Sequence, residues 1–140
     1  MRHAKHTFKI GRTGSHRRAM IANMLKSLIM HEKIETTVVK AKELRRYADR
    51  MITLAKEGSL SSKRAVVSIM RLQYNSLTSK EARMAKNGDQ SVYNDDRKVI
   101  VKLFGELKDK YVERKGGYTR VVRKSLQKGD SAEKCYLEYL

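Results

Sequence analysis

The chain has 140 residues, which suits one domain with a modest core. Its 32 lysines and arginines against 15 acidic residues give a formal net charge of +17, which excludes a charge-balanced surface and favours a polyanionic partner such as nucleic acid. A hydrophobic content of 40% excludes a wholly disordered basic tail, and the single cysteine excludes an internal disulfide and indicates a reducing compartment.

Residues 1–14 are predicted to form a basic extended arm, because positive charge is spread along the segment and only Phe8 and Ile10 could pack. Residues 1–31 contain seven lysines and arginines and no acidic residue, a composition that also resembles an organellar transit peptide. No apolar run of the sequence approaches the roughly 18 residues of a membrane-spanning helix.

The first helix is predicted to begin at Ser15, a favourable N-cap residue, because apolar residues then recur at helical spacing from Met20 to Ile29. Arg17 and Arg18 would lie in its first turn, where the helix dipole disfavours each cation by about 0.3–1 kcal/mol. We therefore expect these arginines to meet an external anion. Replacing both with alanine is expected to leave the isolated domain equally stable or slightly more stable, by up to about 1 kcal/mol.

A short strand is predicted at KIETT (33–37), which is rich in β-branched residues. Thr37 can cap a second helix, in which apolar residues recur from Val38 to Ala55, and Gly58 is expected to end it. A third helix is predicted from residue 61 or 62.

Residues 74–94 are rich in Asn, Ser, Gly and Asp and are predicted to be a polar extension, with a short helix at SKEARMAK (79–86). Another helix is predicted from Asn94 or Asp95 towards Tyr111, where apolar residues again recur at spacings of three and four.

Two strands, YTRVVRKS (118–125) and CYLEYL (135–140), are predicted around a turn at Gly129–Asp130. Cys135 alternates with Leu137 and Tyr139 and is predicted to be buried and unreactive. Residues 15–140 are thus expected to form a single α+β domain with two layers, in which helices pack on a small sheet.

No residue pattern in the sequence predicts catalysis. Ser15 and His16 are adjacent, but nothing resembles the G-x-S-x-G turn of a serine nucleophile. His3, His6 and His16 match no ordinary metal spacing, and the chain has no Walker loop or dinucleotide fingerprint. Residues 11–14 formally match the G-x-x-G loop of KH domains, but the order of elements does not fit that fold. We therefore predict no catalytic residue, metal, cofactor or small-molecule substrate.

Basic residues cluster in three places: the arm with the first helical turn, the outer face of the second helix, and the stretch 110–128. Tyr118 lies in the last cluster, where it offers a face for stacking on a base but equally fits an aromatic residue of the core. Basic groups on several sides favour a protein embedded among RNA segments over a DNA reader with one recognition helix.

The resemblance to a known family rests on four stretches: MRHAKHTFKIGRTGSHRRAM (1–20), IETTVVKAKELRRYADRMITLAK (34–56), ERKGGYTRV (113–121) and GDSA (129–132). Their order and spacing resemble bacterial large-subunit ribosomal protein seventeen over nearly the whole chain. The resemblance implies a structural, rRNA-binding protein near the polypeptide exit tunnel and the element order α-β-α-α-α-β-β. The acid-free N-terminus belongs to the family signature, which argues against a transit peptide.

The predicted RNA-binding residues combine the family motifs with the charge clusters. The N-terminal signature covers Arg2, His3, Lys5, Arg12, Ser15, His16, Arg17 and Arg18, and the second covers Lys40, Lys42 and Arg45. The third covers Arg114, Gly116, Gly117, Tyr118, Thr119 and Arg120. The charge clusters add Lys9, Arg46, Lys124 and Lys128.

The sequence thus predicts an architectural protein of the bacterial ribosome, in the cytoplasm, that neutralises phosphates and pins rRNA segments together. Its expected partners are large-subunit rRNA and neighbouring large-subunit ribosomal proteins, with no membrane association. The alternative is a small basic DNA-binding protein, architectural or regulatory, which would need a symmetric dimer interface and a groove-reading helix. A third possibility is an RNA enzyme using His16 or His31, although the helix dipole gives His31 a sufficient structural role.

Overall fold

The computed structural model describes Phe8 and residues 10–140. The principal elements in this part of the chain are α1 (Gly14–His31), β1 (Lys33–Thr37), α2 (Val38–Glu57), α3 (Leu60–Met70), α4 (Ser79–Lys86), α5 (Asp95–Lys102), β2 (Thr119–Leu126) and β3 (Glu133–Tyr139). The predicted α+β class and element order are confirmed, and α4 is the further short helix predicted inside residues 74–94. No helix in the described residues has the length and apolar character needed to cross a bilayer.

The three strands form an antiparallel sheet in the order β1-β3-β2, so that β3 pairs on both edges. Cys135, Leu137 and Tyr139 on β3 are 0%, 0% and 6% exposed, and the residues between them face the other way. This alternation is the two-residue period of a strand with one buried face. The predicted burial of Cys135 is confirmed, and burial raises the pKa of its thiol.

The core forms around α2, which packs against α1, α3 and the sheet. The buried residues of α2 recur every three or four positions and include Leu44, Met51 and Ile52 together with small alanines at positions 41, 48 and 55. Each large apolar side chain of this kind stabilises the fold by roughly 1.5–3 kcal/mol when fully buried. The opposite face of α2 carries mainly polar residues, with Val39 as an exposed apolar exception.

The N-cap of α1 lies two residues before the predicted one. Thr13, not Ser15, is the N-cap, and its carbonyl oxygen accepts a hydrogen bond from the Arg17 N–H at 2.9 Å. Both residues are favourable cap types, and neither hydroxyl bonds to a helix N–H, so residue preference could not separate the two positions. Ser15 lies inside the first turn.

The other predicted helix boundaries are close to those observed. Thr37 is the N-cap of α2, and Gly58 ends the helix with φ of 67° while its N–H donates to Leu54 O. That left-handed conformation is what glycine adopts without steric cost. Helix α3 begins slightly earlier than predicted, because Ser59 caps it by accepting a hydrogen bond from the Ser62 N–H.

Helix α5 continues without a break into a π-helical segment (Leu103–Leu107) and a last helical turn (Lys108–Lys110), because the backbone stays right-handed helical at both junctions. Leu103, Leu107 and Tyr111 are buried along this rod, as their spacing predicted. The Tyr111 hydroxyl donates to Leu140 O at 2.6 Å and thereby attaches the end of the rod to the end of the sheet.

The polar segment 74–94 is closed at its base by a cluster that we call the Arg97 clamp, formed by Arg97, Tyr74, Asn75 and Tyr93. The Arg97 side chain donates to Asn75 Oδ1 at 2.9 Å and to Asn75 O at 2.8 Å. Its guanidinium carbon lies 5.0 Å from the Tyr74 ring centroid and 5.6 Å from that of Tyr93. Both ends of the segment are therefore held at one point.

Candidate nucleic-acid interface

The N-terminal end of α1 holds several of the predicted RNA-binding residues, and their environments differ. Arg12 and His16 are exposed and hydrogen-bond to each other at 3.2 Å. Arg17 instead donates to the Phe8 carbonyl oxygen at 3.1 Å in a half-buried position. Arg18 is exposed and has no polar partner among the described residues. It is therefore the arginine of this group that is free to meet an external anion.

Four of the predicted residues at the N-terminus, Arg2, His3, Lys5 and Lys9, lie outside the described residues, as does most of the predicted arm. Because α1 starts at Gly14, Arg17 and Arg18 are its fourth and fifth residues rather than its second and third. The dipole penalty declines within the first turn, so it is smaller at these positions than the sequence suggested.

The outward face of α2 carries a row of four exposed cations within nine residues: Lys42, Arg45, Arg46 and Arg50. The row follows about 12 Å of helix and lies opposite the buried face. Arg46 is 3.8 Å from the Glu43 carboxylate. Lys42, Arg45 and Arg50 have no carboxylate partner among the described residues. We call these four residues the α2 cation row.

Lys40, also predicted to bind RNA, lies away from this row. It is half-buried and lines a depression of about 440 Å³ together with Met20 and Met24 of α1 and Glu35 and Thr36 of β1. Lys40 belongs to α2, but its side chain lies towards α1 and β1 and not on the outward face that carries the exposed cations.

The outer face of the sheet binds its cations to carboxylates across strands. Lys124 on β2 lies 2.7 Å from Glu35 on β1, and Arg120 lies 2.6 Å from Glu138 on β3. The hydrogen bond from Lys124 holds the pKa of Glu35 below its usual value and raises the pKa of Lys124 to about 12. The hydrogen bond from Arg120 likewise lowers the pKa of Glu138. An RNA phosphate would have to compete with these carboxylates.

Tyr118 is in the core, which is the second of the two interpretations that the sequence left open. It is 3% exposed, its ring meets Tyr111 edge-on at 5.3 Å, and its hydroxyl donates to Arg114 O at 3.2 Å. Its ring therefore has no face open to a base. Thr119 is also buried, and its hydroxyl donates to Asp49 Oδ1 at 3.0 Å.

The loop before β2 leaves its glycines open to solvent. Gly117 has φ of 62°, and nothing lies within 4 Å of the position of a Cβ atom at either Gly116 or Gly117. Arg114 is exposed and donates to Gly116 O at 3.2 Å. Lys128 is exposed beside the turn between β2 and β3, with no polar partner in the described chain. An external nucleic-acid strand can approach the backbone closely at both places.

Two exposed arginines beside the predicted residues were not predicted to bind RNA: Arg50, which follows Arg46 on α2, and Arg71, which follows α3. Neither has a carboxylate partner in the part of the chain that the structure describes. Arg50 could have been found, because it continues the spacing of Arg46. Arg71 follows the last residue of α3 with φ of 51°, and sequence pattern gives no sign that an arginine rather than glycine would occupy such a position.

Ser15 and His16 form no pair with catalytic geometry. The His16 ring bonds to Arg12, and the Ser15 hydroxyl lies 3.4 Å from that of Thr13. Within the described residues, no group of three or more His, Cys, Asp or Glu side chains could hold a metal ion. The arrangement suits binding of anions by unpaired cations.

Comparison with known proteins gives a consistent set of relatives. The family model described as ribosomal protein L17 matches residues 20–140. The chain is 59% identical over 140 residues to the large ribosomal subunit protein bL17 of Chlamydia pneumoniae, covering 100% of this chain and 99% of the relative. The proteins of the same name from Chlamydia felis and from Chlamydia trachomatis serovar D are 59% and 56% identical with the same coverage.

Proposed function

Since the chain belongs to the ribosomal protein L17 family, and is thus a structural protein of the large subunit of the bacterial ribosome rather than an enzyme, we propose that it binds large-subunit rRNA directly. In this proposal it holds rRNA segments together near the polypeptide exit tunnel, beside neighbouring ribosomal proteins. Its location is the cytoplasm, within the assembled ribosome.

The observation that supports this proposal best is the α2 cation row. Three of its four side chains have no carboxylate within the described chain, and the helix beneath them is fixed by the core. Unpaired cations in a row repel one another and so destabilise the free protein. Binding of a phosphate backbone neutralises them and removes this repulsion. Release of the counterions condensed on the RNA then contributes much of the affinity.

The sheet face has a different role in the proposal. Its cations are already paired with Glu35 and Glu138, so binding a phosphate there replaces one charge pair by another and gains little. We therefore assign most of the affinity to the α2 cation row and the start of α1. The sheet face and the loop at 114–117 position the protein rather than drive its binding.

The experiment is a pair of double variants that remove equal charge. Lys42→Gln with Arg45→Gln removes two unpaired cations from the α2 cation row, and Lys80→Gln with Arg83→Gln removes two exposed cations from α4. Binding to protein-free large-subunit rRNA is measured from low to moderate salt. The α2 double variant should bind more weakly, with a slope of log affinity against log salt shallower by about one to two units. The α4 double variant should match the wild type.

Equal losses in the two variants would mean that net charge alone attracts the RNA, and would contradict an interface on α2. Duplex DNA serves as the competitor. If DNA displaces the rRNA at equal concentration, the alternative of a basic DNA-binding protein gains support. In cells, the protein should sediment with large subunits at moderate salt, and a free pool would count against the proposal.

A further inference from the structure

A pocket of about 420 Å³ lies where α1, α2 and α3 meet. It is lined by Arg18 and Ile21 of α1, Tyr47 of α2, Ser68 and Ile69 of α3, and Arg71 just beyond α3. Its volume lies within the roughly 300–1,000 Å³ typical of ligand pockets. It contains two arginines, one aromatic ring and two isoleucines.

The charge of this pocket is unbalanced. No carboxylate lines it, and neither Arg18 nor Arg71 has a polar side-chain partner among the described residues. Three other depressions on the described surface each include an acid: Asp95 and Asp96 beside Lys26 in one, and Glu35 in the other two. Two guanidinium groups in one pocket repel each other until an anion lies between them.

Arg71 adds a second, independent sign. It has φ of 51°, in the left-handed region where glycine or asparagine is the usual residue at the end of a helix. An arginine in this conformation carries a backbone strain that glycine would avoid. The dipole of α3 stabilises a cation at its C-terminal end, but the dipole of α1 gives no such reason for Arg18 near the opposite pole. An anion shared by the two arginines accounts for both.

Resting on the rRNA binding proposed above, we propose that this pocket takes a single unpaired nucleotide of rRNA. Arg18 and Arg71 hold its phosphate, and its base lies against Tyr47 and the neighbouring isoleucines. Unpaired RNA bases are commonly bound on aromatic rings beside phosphate-binding arginines. Tyr47 lies on α2, the helix that also carries the α2 cation row, so the pocket borders the proposed rRNA-binding helix. An acidic peptide would pair with the two arginines, but it has no planar base to stack on Tyr47 and pack against the isoleucines.

The phosphate contact is tested by Arg71→Gln, with Arg64→Gln as the matched control. Both arginines are exposed, belong to α3 or its end, and have no partner in the described residues, but Arg64 does not line the pocket. On protein-free large-subunit rRNA, Arg71→Gln should make the salt slope shallower by about 0.7. Arg64→Gln should leave it unchanged. Identical behaviour of the two variants would overturn the proposal, while loss of rRNA binding by the wild type would overturn the proposed function itself.

The base contact is tested by Tyr47→Leu, which keeps an apolar side chain but removes the ring. Its affinity for rRNA should fall about fivefold or more with an unchanged salt slope, because stacking releases no counterion. Tyr74→Leu, which removes an exposed ring of the polar segment, should bind as the wild type does. Equal melting temperatures of the variants and the wild type establish that binding is compared between folded proteins.

Ultraviolet irradiation of assembled large subunits identifies the occupant directly. The peptide that contains Tyr47 should carry a covalently attached nucleotide, and the Arg71→Gln subunits should give less of it. A Tyr47 peptide attached to another protein, or recovered without any adduct, would overturn the nucleotide proposal and favour a protein partner in the pocket.

Discussion

At the scale of single residues, Arg17 and Arg18 show that adjacent cations can have separate roles. Arg17 donates a half-buried hydrogen bond to the Phe8 carbonyl oxygen, whereas Arg18 faces the pocket between three helices. The sequence suggested that both serve an external anion and that neither supports the fold. The Phe8 contact changes that expectation for Arg17.

We therefore predict that one single variant changes the stability of the protein and that the other changes its rRNA binding. Arg17→Gln should destabilise the free protein by about 1 kcal/mol, because it removes a charge-assisted hydrogen bond that is partly shielded from water. Arg18→Gln should leave the melting temperature unchanged and make the salt slope of rRNA binding shallower by about 0.7 to 0.9. Thermal melting and salt-dependent binding on both variants measure the two effects. A lower melting temperature for Arg18→Gln would assign that arginine to the fold.

At the scale of elements, two glycines in helical surroundings should respond oppositely to alanine. Gly58 ends α2 at φ of 67°, so Gly58→Ala forces a Cβ into the left-handed region and should cost about 1 kcal/mol. Gly105 lies within the helical rod with no positive φ and no neighbour within 4 Å of the Cβ position. Gly105→Ala should stabilise the protein by roughly 0.5–1 kcal/mol. Chemical denaturation of both variants measures the pair, and a shift of the same sign in each would contradict this account.

The joint between α1, β1 and the long rod depends on one carboxylate. Glu32, which follows α1, lies 3.0 Å from the Lys102 ammonium and 3.1 Å from that of Lys110. Hydrogen bonds from Lys102 and then Lys110 lower the pKa of Glu32 below its ordinary value of 4.5. A carboxylate whose pKa is lower in the folded state stabilises the fold above its unfolded pKa and loses that contribution as the pH falls through the folded pKa.

The melting temperature should therefore fall as the pH drops below about 4.5, the ordinary pKa of the Glu32 carboxyl. Glu32→Gln should melt lower than the wild type at pH 7 and should show a smaller further fall in acid. Some fall should remain, because Glu35 and Glu138 also have lowered pKa values. Melting curves between pH 3 and 7 measure this, and parallel curves for the two proteins would exclude Glu32 as a contributor.

At the scale of the whole molecule, the charge of +17 acts on the free protein and on its complex in opposite directions. In the free protein, salt screens the repulsion among cations such as those of the α2 cation row. Raising the salt concentration should therefore raise the melting temperature of the free protein while it weakens rRNA binding. The Lys42→Gln, Arg45→Gln variant should show a smaller rise. A melting temperature that falls with salt would mean that the ion pairs on the sheet outweigh the repulsion.

The sequence predicted those parts of the molecule in which local pattern decides the structure. Helical spacing located α1 and α2, β-branched residues located β1, and alternation predicted the burial of Cys135. Contacts between distant segments were not predictable, because they depend on the strand order β1-β3-β2 and on helix packing. The sequence therefore gave no sign that Arg120 and Lys124 form ion pairs with carboxylates on other strands. It also gave no sign of the pocket beside Tyr47, because residues of three helices line it.

The Arg97 clamp has a consequence for how this protein can change over evolution or be engineered. Besides the contacts of Arg97, the Asn75 side-chain amide donates to Val92 O at 3.0 Å, so residues 76–91 form a loop whose ends already meet. Helix α4 within that loop contributes no buried residue. Because the entropy of closing a loop grows only slowly with its length, chain can be gained or lost there while the core keeps its packing. The tip of this loop is thus a permissive site for grafting an affinity tag or fluorophore onto the protein.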